Sequence, residues 1–235
     1  MNMEKTNLTI KLKAGASDAY VSLTEEGGTS QYKTVSVDDL IAALSTPQRL
    51  STGVLPRNTR FFSGSPTRYK IGLETIARAR DFGVFSRNRE LENRKQDILR
   101  IPFPMCLFVF DISADKIQES KVFALSGSIS KKDDTLYNFP FGNVYHNGVV
   151  CWGGSAGLLP HIKTPMNLIS AISFFLDSSF NGDLVTDRTW RSPGTTRQET
   201  LSDFWSLVKY LNGKEIFPEN MLVASTVKLT EIIKG

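Results

Sequence analysis

Residues 101 to 113, "IPFPMCLFVFDIS", carry a single charged side chain, Asp111, in a run that is otherwise almost wholly apolar. The run is far short of the ~20 apolar residues that cross a bilayer. It is also too apolar for a strand with one wetted face, so the composition predicts one unbroken strand over 101–113, buried on both faces. Cys106 lies inside it between Met105 and Leu107. Apolar surroundings raise a thiol's pKa, so this cysteine is expected to be inert packing.

Other strands flank that run. "NLTIKLK" (7–13) and "AYVSLTE" (19–25) alternate with period two, and "YKTVSV" follows. "TRFF", "RYKIGLE" and "SKVFALSGS" complete what reads as an antiparallel meander. Helices come between and after. "SVDDLIAAL" has Ser36 as N-cap, Asp39 three residues on, and an apolar face of Leu40, Ile41 and Leu44. "TPMNLISAISFFL" has Thr164 as N-cap and Pro165 at its first position, with Leu168, Ile169, Ile172, Phe175 and Leu176 on one face. "TLSDFWSLVKYLNG" sets Leu201, Phe204, Trp205, Val208 and Leu211 on one face and stops at Gly213. Strands first and helices later predict an α+β fold. Pro, Gly, Ser and Thr gather over 45–67 and mark a seam near residue 50. The expected organisation is an N-terminal β-strand extension over 1–35 and a main domain over 36–235.

Of the 235 residues, 40% are hydrophobic and 22% charged, which describes a globular chain, not a disordered one. The N-terminal "MNMEKTNLTIKLK" has no apolar core of the secretory kind, so no signal and no membrane span is expected. Two cysteines, Cys106 and Cys151, make no disulfide framework, and a reducing cytoplasm is the natural setting. The net charge of +4 is unevenly placed: from Arg57 to Arg100 there are eleven Lys or Arg against five Asp or Glu. Such an excess either steers an acidic partner or forms a solvated basic face. No aromatic-interleaved basic repeat or zinc-finger spacing points to nucleic acid.

Three groups of residues invite chemistry. "GGSAG" (153–157) has the G-x-S-x-G spacing of a nucleophile elbow, which requires a strand–turn–helix and a later His and acid. Pro160 interrupts such a helix, and the only downstream histidine, His161, lies six residues on, so a glycine-rich loop is expected. His146, Cys151 and His161 match no standard zinc spacing, and no metal or cofactor is predicted. The third group is "FGNVYHNGVVC" (141–151). Here Asn143 precedes Cys151 by eight residues, with an Asn147-Gly148 turn between them. A segment that doubles back at that turn brings an amide towards the thiol, the pairing that thioester chemistry needs for its oxyanion.

That stretch resembles the active-site segment of ubiquitin-conjugating enzymes: His-Pro-Asn, Val/Ile-Tyr, a polar pair, Gly, two residues, then the catalytic Cys. Asn143, Val144, Tyr145, Gly148 and Cys151 stand at the matching spacings, and "TPMNLISAISFFLDSSFNGDLV" is similar to the family's next helix and acidic exit loop. "NFPFGNVYHNGVVCWGG" is more similar still to a bacterial branch, the PRTRC system protein B family, as are the flanks "SVDDLIAAL…GVLPRNTRFF" and "FWSLVKYLNGKEIFP". The resemblance implies a ubiquitin-conjugating (UBC-like) meander with a cysteine loop and flanking helices. It implies Cys151 as nucleophile, Asn143 as oxyanion donor, and Asp177 or Asp183 as the acidic exit-loop residue, with Tyr145 and His146 as accessory positions. The partners it implies are a ubiquitin-like modifier, a ThiF-type activating enzyme and a JAB-type metallopeptidase of the same system. Phe141-Gly142 replaces the usual His-Pro, and Trp152-Gly153 the usual Leu-Asp. A second reading stays open: an inactive docking or scaffold relative in the same modifier system or in a plasmid or mobile-element system.

Overall fold

The computed structural model describes residues 7–24, 30–45, 54–65, 68–85, 96–185, 189–193, 201 and 203–234. The chain divides into two compact units, 1–49 and 50–235. In the first, β1 (Asn7–Leu12), β2 (Asp18–Thr24) and β3 (Ser30–Ser36) form an antiparallel sheet in the order β1-β2-β3. Helix α1 (Val37–Ser45) follows directly. The Ser36 hydroxyl accepts the Asp39 N–H at 3.0 Å, and Asp38 and Asp39 set two carboxylates against the positive end of the helix dipole.

The second unit holds β4 (Thr59–Gly64), β5 (Arg68–Thr75), β6 (Arg78–Phe85), β7 (Gln96–Phe103), β8 (Met105–Ser113) and β9 (Lys116–Leu125). A four-stranded antiparallel sheet runs β4-β5-β8-β9, and β6 and β7 pair with each other in a separate ribbon. Three short helices follow: α2 (Leu168–Leu176), α3 (Phe204–Leu211) and α4 (Leu229–Lys234). Among the described residues, no helix is long and apolar enough to cross a membrane.

The expected single strand over 101–113 is two strands. Pro104 has no N–H for a ladder and restricts the residue before it, so Phe103 ends β7 and Met105 begins β8 in a different sheet. The meander is likewise interrupted, because the β6–β7 ribbon lies in sequence between the paired strands β5 and β8. Within that run, β8 is the part buried on both faces. Cys106, Phe108, Phe110 and Ile112 enter one core cluster, while Leu107 and Val109 enter another.

The larger cluster lies between that sheet face, α2 and α3, and is dominated by aromatic rings. Phe82 stacks on Phe180 at 4.6 Å between centroids, and Phe103 meets Phe141 at 4.7 Å. α2 contributes Leu168, Ala171, Ile172 and Phe175, spaced i, i+3, i+4, i+7. Ile169, expected on that face, falls about 100° round the helix and is 43% exposed. Asp203 caps α3, its carboxylate accepting the Ser206 N–H at 2.8 Å, so Leu201 packs from outside the helix. The smaller cluster joins Leu107, Val109, Phe123 and Leu125 to Leu229 and Ile232 of α4.

Candidate active site

Residues 143 to 151 form a tight hairpin. Gly148 N–H donates to Tyr145 O and Tyr145 N–H to Val149 O, both at 2.8 Å, while Val144 bridges Val150. The strand-to-strand reversal leaves Cys151 N–H donating to Asn143 O at 2.8 Å, so these two residues face each other across the ribbon. The turn demands glycine twice over: Gly148 has φ +83°, and a Cβ there would lie 2.4 Å from the Phe123 ring. β9 anchors the hairpin, with Val122 N–H bonded to Gly148 O (2.8 Å) and Val150 N–H to Ser120 O (2.9 Å).

Cys151 is a free, half-buried thiol at the end of this hairpin. The Tyr145 hydroxyl donates to its Sγ at 3.7 Å, and this hydrogen bond, together with the charge the sulfur takes on, raises the Tyr145 pKa above the usual phenol value. The phenol therefore stays protonated and able to donate when the thiol ionises. Cys106 differs in every respect. It is 1% exposed, its Sγ lies 3.4 Å from Pro104 O, and burial pushes its pKa from 9.0 up to about 12. The shift alone leaves about a thousandfold less thiolate near neutral pH. Brief treatment with iodoacetamide at pH 8 is expected to label Cys151 alone, with Cys106 labelled only after denaturation; peptide mass mapping that finds both labelled in the native chain contradicts this.

Asn143 has a left-handed φ of +62°, which asparagine tolerates better than most residues. Its carboxamide does not turn to the thiol: Nδ2 donates to Ser179 O at 2.9 Å, leaving one amide hydrogen for other work. The next residues along that second segment hold other parts of the unit. Phe180 N–H donates to Gly83 O of β6 at 2.9 Å, and Asn181 O packs so tightly on Gly142 that a Cβ there would sit 1.9 Å away.

The other candidate residues are spread out. Asp177, just past α2, pairs with Arg80 of β6 at 3.2 Å. Arg80 is itself pulled below its usual pKa, chiefly by burial, with Asp177 opposing the shift. Asp183 interacts locally, its N–H bonding to Asn181 Oδ1 (3.1 Å) and its carboxylate accepting from Asn181 Nδ2 (3.0 Å). His146 is exposed and lines a small pocket of about 90 Å³ with Tyr145, Leu184 and Thr226. The structure thus brings Cys151, Asn143 and Tyr145 together and leaves both aspartates in contacts of their own.

Two neighbours carry weight that the sequence did not advertise. Trp152 Nε1–H donates to the buried Ser120 hydroxyl at 2.8 Å, and its ring stacks on Phe174 and meets Phe175 edge-on. A Trp after the cysteine is a signal only in retrospect, since Ser120 is thirty-two residues away. Phe141 is the other: it is 1% exposed among Phe82, Phe103, Phe139 and Phe217. Ser155 of "GGSAG" lies in a 3₁₀ turn, Gly153–Leu158, not at the strand-to-helix corner of a hydrolase elbow.

A family model described as prokaryotic E2 family D matches residues 84–225, more than half of the chain and the whole of this hairpin. No curated protein and no solved structure matches the chain.

Proposed function

Because the chain belongs to prokaryotic E2 family D, we propose that it accepts a ubiquitin-like modifier as a thioester on Cys151 and passes it to a target. The observation that carries this reading is the accessible thiol opposite Asn143 with a phenol donating to its sulfur. The mixed architecture, with antiparallel sheets and few helices, is compatible with a ubiquitin-conjugating fold.

In the proposed reaction the Cys151 thiol loses its proton to solvent, and the thiolate attacks the carbonyl carbon of the thioester that joins modifier to activating enzyme. The new C–S bond forms as the activating enzyme's thiolate departs. Two thioesters of similar thiols lie close in energy, so positioning governs the rate. The free hydrogen of the Asn143 amide is the donor for the tetrahedral oxyanion, on a modest rotation that keeps the bond to Ser179. Attack by a target amine then expels Cys151, and the amine's surplus proton goes to an exit-loop carboxylate, Asp177 or Asp183. Arg80 already engages Asp177, which makes Asp183 the better acceptor.

Tyr145 supports the thiolate in both steps. Tyr145→Phe is expected to slow alkylation of Cys151 near neutral pH by about fivefold, the worth of one hydrogen bond to a developing charge; an unchanged second-order rate removes Tyr145 from the site.

The finer assignment, to the PRTRC system protein B branch, rests on "NFPFGNVYHNGVVCWGG". With it come a ThiF-type activating enzyme, a JAB-type metallopeptidase and a cytoplasmic setting that keeps both thiols reduced. The test is incubation of the chain with such an activating enzyme, its modifier and ATP, read on a gel with and without reductant. A reducible adduct supports transfer, and its absence with partners active on each other sinks it. One observation favours the second reading, an inactive docking relative: the Asn143 amide and Asp177 are each held by another residue.

A further inference from the structure

A cleft of about 510 Å³ opens along α2, and no residue of the Cys151 hairpin is among its described lining. Ile169, Ile172, Ser173 and Leu176 line it at i, i+3, i+4, i+7. Phe174, on which Trp152 stacks, points roughly 150° away round the helix. The cleft and the Trp152 ring thus lie on different faces of α2.

Its rim is basic. Arg57, Arg60, Arg78 and Arg80 surround it, with Glu74 the single carboxylate among the described lining residues. Glu74 exerts little negative field, because Arg60 pairs with it at 2.5 Å while Ser128 Oγ and Ile129 N–H donate to its two oxygens. Arg80 is turned inward, over the Phe103 ring and towards Asp177. Arg57 and Arg78 are exposed and form no ion pair among the described residues.

The floor is aliphatic. Ile76, at the β5–β6 turn, is 71% exposed and Ile169 is 43% exposed, and both line the same cleft. A solvated basic face has no use for two wetted isoleucines between its arginines. A nucleic-acid site would set aromatic faces among the cations for base stacking, whereas Phe103, the one ring among the described lining residues, is 3% exposed. Guanidinium groups match carboxylates in planar two-point contacts, and a concave aliphatic floor suits a branched side chain between them.

We propose that this cleft is a docking site for an acidic segment of a partner protein, in which Asp or Glu residues flank one or two Leu or Ile. The carboxylates meet Arg57 and Arg78, and the aliphatic side chain lies against Ile76 and Ile169. The proposal does not depend on whether Cys151 transfers a modifier.

The test is fluorescence anisotropy of the full chain with labelled, acetylated short peptides that carry Asp and Glu around Leu at varied spacing. Saturable binding is expected, weakened by salt, and lowered about tenfold by Arg78→Glu or Arg57→Glu and comparably by Ile76→Ser. All three side chains are exposed, so unchanged thermal midpoints and circular dichroism will show that these variants fold. The proposal is overturned if no peptide of the set binds, or if the three variants bind as the parent does. It is equally overturned if a leucine-free polyglutamate binds as tightly as the best peptide, or if a single-stranded oligonucleotide binds more tightly and displaces it.

Discussion

Cys151→Ala is expected to abolish the reducible modifier adduct outright, while Cys151→Lys replaces it with an adduct that reductant leaves intact. The difference follows from the bond formed. A thioester exchanges with any added thiol, whereas an amide to a lysine Nζ does not. No other described thiol can stand in, because Cys106 is buried with a pKa raised to about 12. Alanine at 151 also leaves the hairpin intact, since its backbone keeps the N–H that bonds Asn143 O. Loss of the adduct with an unchanged fold therefore reports chemistry and not unfolding. If Cys151→Ala still carries a reducible adduct, the nucleophile is elsewhere and the proposed mechanism fails.

The second large effect concerns the two residues before Asn143. Restoring the usual motif with Phe141→His and Gly142→Pro is expected to cost about 4 kcal/mol or more, a large part of a typical domain's stability. An imidazole at 141 would sit among Phe82, Phe103, Phe139 and Phe217, where the surrounding rings offer its nitrogens nothing to bond. Any Cβ at 142 would lie 1.9 Å from Asn181 O, so one of the two backbones must give way. Urea melts of the double variant should show a much lower midpoint, and Phe141→Leu, which keeps the site apolar, a smaller fall. A double variant as stable as the parent would mean that the His-Pro departure is neutral drift. On the geometry, the packing of Phe141 among aromatic rings and the close contact of Gly142 with Asn181 O hold this loop.

What could be read from the chain depended on range. The Asn147-Gly148 reversal and the pairing of Asn143 with Cys151 are local, and turn chemistry is enough to find them. β8 was legible because its residues are apolar in both parities, which only a strand covered on two faces requires. The β6–β7 ribbon was not, since Arg78, Arg80 and Asp81 mask the alternation of Phe82 and Val84. Pro104 was in plain view within the apolar run, but hydropathy outweighed its missing N–H. Contacts between distant segments left no trace: nothing in the sequence ties Asn143 to Ser179, Asp177 to Arg80 or Trp152 to Ser120.

The three consecutive residues 179 to 181 are each held, two by the cysteine loop and one by β6: Ser179 O by the Asn143 amide, Phe180 N–H by Gly83 O of β6, and Asn181 O by close contact with Gly142. A flap needs a free span between two hinges, and this segment has its restraints at the middle. Opening it would break the bond to β6 and draw the Phe180 ring out of its stack on Phe82. Segment 179–181 is therefore pinned in place and is not itself a flap. In amide exchange the Phe180 N–H should accordingly be protected like a strand interior, although it lies outside every named strand.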